Sequence, residues 1–181
     1  MNDWQWIKHF RRRVVADHEK AARVLGISSA DLSQHVNRGN IPCVDPNPGR
    51  GRSREFTFEN ILHGAIVLEM ARYGIRFTEQ NWDAASRITK WVFDTHSGEI
   101  ATELIGKIVY FVVSFKSDGE MVPLKPQWSE QIKVGGIGHS ALVIVITSIL
   151  ADLLTALKDE QPDDEQMEES LRALIQVRER R

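Results

Sequence analysis

Two groups of polar side chains in the first third of the chain have the types and spacing for recognition chemistry. Ser29, Ser33, Gln34, Asn37 and Arg38 recur at helical intervals, so one helix would present them together on its outer side. Gln34 and Asn37 carry amides that can pair bidentately with adenine edges, while Ser and Arg reach phosphates or guanine. Arg50, Arg52 and Arg54 alternate in the run PGRGRSREF, which predicts three guanidinium groups on one side of an extended strand. The glycines between them would let that strand approach a sugar-phosphate backbone closely. Taken singly, the first group could be a solvated helix face and the second a charged linker. Their adjacency favours a joint surface for duplex DNA.

Other chemistries lack their parts. The six histidines, at 9, 18, 35, 63, 96 and 139, are scattered, and Cys43 has no His or Cys at ligand spacing, so no zinc site is expected. A single cysteine also rules out an intramolecular disulfide and suits a reducing compartment. The loop Val134-Gly135-Gly136-Ile137-Gly138-His139-Ser140 lacks the lysine of a phosphate-binding GxxxxGK[ST] loop and precedes a strand pattern, so it reads as a connector. His139-Ser140 sits in no GxSxG elbow, and Asp163-Asp164 lies in a polar breaker. No catalytic set, metal or cofactor is expected. Of the five tryptophans, Trp4, Trp82 and Trp91 fall on apolar helix faces, where core packing is the expectation.

The elements that must position the polar groups can be read from the pattern around them. Asp17 predicts a cap for a helix over 18–25, closed by Gly26. Ser28, with Asp31 three residues on, predicts the start of a second helix running to about Arg38 and stopping at Gly39. Leu32 and Val36 face inward in this reading. Residues 42–54 hold three prolines, two glycines and three arginines and break regular structure. Phe58 to Tyr73 is a periodic helix stopped by Gly74, and Thr78 predicts a cap for another over 79–94. Trp4, Ile7, Phe10, Val14 and Val15 suggest a first helix over 3–15, with a short strand at Val14–Val15 as the alternative. Behind these, Ile108–Phe115 reads as a buried strand, Ser117 to Glu120 as a hairpin turn and Met121–Leu124 as its return. Ala141–Ile146 reads as a third strand feeding a helix from Thr147 to Lys158. An amphipathic helix with Met167, Leu171, Leu174 and Ile175 on its apolar side follows.

The fold class expected is mainly α with an α+β second half, in three parts. A helix-turn-helix with a basic wing occupies 1–95, a small α+β effector or oligomerisation domain 96–160, and an amphipathic helix 161–181. Charge divides the same way: residues 1–78 carry 12 Lys and Arg against 8 Asp and Glu, and the remainder 11 against 17. A basic front suits a DNA reader, and the acidic 159–169 tract would stay off the DNA. The chain of 181 residues, 42% hydrophobic and 27% charged, can bury a substantial core. Neither a signal peptide nor a membrane span is evident, so a cytoplasmic location is expected.

The order helix, turn, helix, R-G-x-I-P, Gly/Arg wing, R-x-F-T-x-x-N-I and a helix ending A-R-Y-G-I resembles the winged-helix domain of the MerR superfamily. The matching positions are Ala22, Leu25, Gly26, Ile27, Leu32, Gly39, Ile41, Pro42, Arg54, Phe56, Ile61, Leu68, Gly74 and Ile75, within residues 14–90. Two departures stand out. Ser33-Gln34-His35-Val36 replaces the family's aromatic-rich Arg-Tyr-Tyr phrase, and the long dimerising coiled coil and clustered cysteines of its metal sensors are missing. The resemblance implies a transcriptional regulator that binds double-stranded DNA, without metal response. Gln34, Asn37 and Arg38 would lie at the major groove, Ser29 and Ser33 on phosphates, and Arg50, Arg52 and Arg54 as wing clamps. One winged helix covers few base pairs, so a homodimer is expected, built through the back half. The alternatives are a phage or mobile-element recognition protein, of excisionase or terminase small-subunit type, and a protein-interaction module. No effector is named by the sequence.

Overall fold

The computed structural model describes residues 11–75, 79–94, 108–115, 121–123, 127–129 and 141–157. The expectations for residues 3–10, the Thr78 cap, the 117–120 turn, the 134–140 loop and the last helix lie outside them. Among the described residues the chain is a mixed α/β fold of five helices and two antiparallel sheets. Strand β1 (Val14–Asp17) leads into α1 (His18–Leu25) and α2 (Ser29–Asn37). After a long loop come β2 (Glu55–Thr57), α3 (Phe58–Arg72) and α4 (Glu79–Asp94). The back half holds β3 (Ile108–Phe115), β4 (Met121–Pro123), β5 (Gln127–Ser129), β6 (Ala141–Val145) and α5 (Ile146–Ala156).

Local chemistry sets the front elements. The Asp17 carboxylate accepts the Lys20 amide at 2.9 Å and starts α1. Ser28 starts α2, its Oγ accepting from the Asp31 amide at 3.1 Å and donating to the Asp31 carboxylate at 2.7 Å. The end of α2 is a Schellman turn: Asn40 N donates to His35 O at 2.9 Å, and Gly39 N to Val36 O at 2.9 Å. Gly39 sits at φ 74°, left-handed backbone that a side chain would oppose. Thr57 and Asn60 form a reciprocal capping box at the head of α3.

Residues 11–13 do not continue a helix, and the alternative reading of a strand at Val14–Val15 is the one realised. The reason is a competing set of partners. Arg13 O accepts from Phe58 N and Arg11 O from Glu59 N, both at 3.1 Å, which satisfies amides at the head of α3. The Arg11 guanidinium forks onto Glu59 at 2.9 and 2.6 Å, reaches Asp94 at 3.1 Å and lies 5.2 Å over the Phe93 ring. β1 then pairs antiparallel with β2, Ala16 opposite Phe56 and Asp17 opposite Glu55, with an irregularity between Val14 and Ala16.

The central helix is α3. Ile61, Leu62, His63, Gly64, Ile66, Val67 and Met70 are all buried, so it is covered on several sides rather than along one stripe. Behind it, β3 anchors the larger sheet. β6 pairs with it from Tyr110–Val145 to Ser114–Ala141, and β4 and β5 each take part of its other edge. β5 is not apparent in the sequence, because Gln127–Ser129 is too short a run to establish a period. α5 packs on α3 and α1, and one continuous cluster of buried side chains runs from Val15 to Leu157. Trp91 meets Phe111 edge-on with centroids 5.2 Å apart, as a core residue should. Trp82 departs from the core expectation: it is 40% exposed and rests on His63, centroids 5.3 Å apart. Among the described residues no helix is long and apolar enough to cross a membrane.

Candidate nucleic-acid interface

Two helices joined by a three-residue turn form the front of the molecule. Ala21, Ala22 and Leu25 of α1 and Leu32 and Val36 of α2 are buried, and the small side chains at 21 and 22 allow the helices to meet closely. This burial turns the opposite side of α2 outward. Gln34, Asn37 and Arg38 are exposed, and intervals of three and four residues put them on one face.

The serines are placed differently. Ser29 is exposed, but its carbonyl lies 3.0 Å from His18 Nε2, and Ser33, half-buried, places Oγ 3.1 Å from the same nitrogen. A carbonyl can only accept, so Nε2 carries the proton and shares it between the two oxygens. His18 Nδ1 is buried and has no hydrogen-bond partner among the described residues. Ser33 therefore holds α1 against α2 instead of standing free on the outer face. His18 also packs against Phe56 at 6.2 Å, and its amide donates to Ser53 Oγ at 3.3 Å. Nothing in the sequence singled out His18, because its partners lie 11, 15 and 35 residues away.

The loop of residues 42–54 is not the strand that its alternating arginines suggested. β2 begins only at Glu55, and the glycines at 49 and 51 both take φ 80°, a left-handed conformation that breaks an extended run. The loop is nonetheless fixed at several points. Val44 N donates to Glu55 O at 2.9 Å and closes the neck, and Asp45 Oδ1 accepts from Asn47 N at 2.8 Å. Arg54 Nε donates to Pro46 O at 3.0 Å, while Nη2 donates to Asn37 Oδ1 at 2.6 Å. Arg54 thus ties the loop to the end of α2. Arg50 and Arg52 lie beside the turn closed by Arg52 N and Gly49 O, 3.4 Å apart, and both are exposed.

Burial favours the neutral form of two side chains near this surface, His35 and Cys43. Burial lowers the His35 pKa, with Asp31 opposing and Arg38 assisting, and His35 Nδ1 faces the Asn40 amide nitrogen at 3.4 Å. Burial pushes the Cys43 thiol up against the opposing effect of Arg54, which makes it a poor nucleophile. Among the described residues no three His, Cys, Asp or Glu side chains group to hold a metal ion. A cleft of about 260 Å³ opens between α1, α3 and α5; the acid and base on its α3 side, Glu69 and Arg72, are paired at 2.9 Å. Compared with known proteins, the chain matches no protein-family model and no curated protein.

Proposed function

We propose that this chain is a sequence-specific DNA-binding transcriptional regulator with a MerR-like winged helix-turn-helix. In this reading α2 is the recognition helix and residues 42–54 are the wing. The protein acts in the cytoplasm as a homodimer and binds duplex DNA without catalysing a reaction. The observation that carries the reading is the Arg54–Asn37 hydrogen bond of 2.6 Å, supported by the Ser53–His18 contact. These bonds join the arginine loop to both helices, so the polar face of α2 and the exposed Arg50 and Arg52 belong to one surface. A charged linker would need no such attachment. Gln34 and Arg38 would meet the major groove, and Arg50 and Arg52 the backbone.

The test is fluorescence anisotropy of the full chain on mixed-sequence duplex DNA across a salt series. The expected result is micromolar binding whose log affinity falls linearly with log salt. Replacing Arg50 and Arg52 together with alanine should weaken binding to all sequences alike and lower the salt slope by about 2. No binding at low salt would sink the reading.

A further inference from the structure

The contacts that fix α2 divide its outer side into two stripes. A helix turns by about 100° per residue, so Ser29, Ser33 and Asn37 follow one flank. That flank is tied to the rest of the molecule. His18 Nε2 stands 3.0 Å from the Ser29 carbonyl and 3.1 Å from Ser33 Oγ, and the Asn37 oxygen accepts from Arg54 at 2.6 Å. Ala30, Gln34 and Arg38 follow the next stripe, with Arg38 still in the right-handed region at φ −86° and ψ −1°. All three are exposed, whereas Leu32 and Val36 are buried. Gln34 falls about 180° around the helix from the midpoint of that buried pair. Among the described residues the Gln34 amide has no hydrogen-bond partner and Arg38 no ion-pair partner. Asp31, the only acid in α2, is drawn to the head of the helix by Ser28 Oγ at 2.7 Å.

We infer that α2 reads bases through Ala30 and Gln34, with Arg38 ending the same stripe and the Ser29–Ser33–Asn37 flank holding it in place. This inference rests on the DNA-binding reading above. Residue type alone gives Ala30 no role, because a methyl group makes no hydrogen bond. On the exposed side opposite the core it offers an apolar contact, and the base edge that answers it in the major groove is the C5-methyl of thymine. The Gln34 amide has both its oxygen and its NH₂ group unengaged, the pair that adenine N6 and N7 require. Both residues stand in the N-terminal part of α2, the part of a recognition helix that reaches base edges. Arg38, at the far end, meets guanine or a phosphate. Four residues rise about 6 Å along a helix. Base pairs are stacked about 3.4 Å apart, so Ala30 and Gln34 should meet a thymine and an adenine about two base pairs apart.

The experiment selects bound duplexes from a randomised pool with the full chain and then measures affinity on the selected site. The expected site carries thymine and adenine at that spacing. Replacing the thymine with deoxyuridine removes only the methyl group and should weaken wild-type binding about fourfold. Ala30→Gly should be indifferent to the same replacement. Gln34→Ala should weaken binding at least about fivefold and erase the adenine preference. Gln34→Glu should exchange adenine for cytosine, whose N4 amine donates to a carboxylate. Ser33→Ala and Asn37→Ala should lower affinity and leave both preferences in place. Each variant is checked for native circular dichroism, and the deoxyuridine comparison on the wild-type chain stands even if a variant fails to fold. Equal wild-type affinity for the thymine and deoxyuridine sites would overturn the role of Ala30. An adenine preference that survives Gln34→Ala but is lost in Asn37→Ala would overturn the role of Gln34. Wild-type binding without any base preference would overturn the whole assignment and leave DNA binding standing. Failure of the wild-type chain to bind any duplex is a separate result and overturns the DNA-binding reading itself.

Discussion

At the scale of single residues, His63 is where burial and charge conflict most. It is 3% exposed in the middle of α3, its Nε2 has no partner among the described residues, and burial pushes its pKa down to about 4 from the ordinary 6.5. The Asn40 backbone supplies the one hydrogen bond that opposes the shift most, just beyond the proposed recognition helix. The unfolded chain takes up a proton at this site below pH 6.5, whereas the folded chain resists until about 4. Stability should therefore be level above pH 6.5 and fall as the pH drops toward 4, by on the order of 3 kcal/mol from this residue. Urea midpoints measured across that range should show the fall, and His63→Asn should remove most of it. The Asn amide can still donate where Nδ1 does, so an unchanged acid limb in that variant would assign the loss to other groups. His18 shows how a polar atom becomes structural once its partners are found in another element.

At the scale of elements, α3 decides how the front helices are held. Gly64 lets Ile41 and Leu25 approach it, and a Cβ built there would stand 3.2 Å from Ile41 Cγ2 and 3.3 Å from Leu25 Cδ1. Both neighbours are buried, at 1% and 5% exposure, so neither can retreat into solvent. Gly64→Val should cost on the order of 1–3 kcal/mol by overpacking, read as a lower urea midpoint at unchanged slope. Because Ile41 lies at the root of the arginine loop, the variant should also weaken the proposed DNA binding while it remains folded. A neutral Gly64→Val would mean that α1 and the loop root shift freely on α3. Much of this geometry could be anticipated. The caps at Asp17 and Ser28 and the stop at Gly39 are local signals, and the helices they bound lie where those signals put them.

At the scale of the whole molecule, front and back share one apolar core. Phe111 and Ile144 of the sheet and Leu150, Leu153 and Leu154 of α5 belong to the same cluster as Leu25 and Ile66. Leu154 is fully buried, and Leu154→Ala should cost about 2–5 kcal/mol. Because the cluster is continuous, tryptophan fluorescence and far-ultraviolet circular dichroism should lose stability together in a single transition. Two separated transitions would show that the back half unfolds independently of the helices in front. A shared core also bears on the proposed regulator, since a change at the back half would act directly on α1 and α3.

The sequence by itself determined the elements that rest on neighbours in the chain: capped helices, the β-branched run at 108–115, the basic loop and the polar outer face of α2. These depend on propensity, periodicity and charge within a few residues. Only the tertiary structure decided which polar groups remain available. Ser33 turns inward because His18 stands across from it, and Asn37 is tied to the loop because its oxygen accepts from Arg54. Residues 11–13 leave the helical pattern because the head of α3 offers better partners. Each of these outcomes depends on a hydrogen-bond partner at least 15 residues away, and satisfying a donor or acceptor at that range is a property of the packed chain.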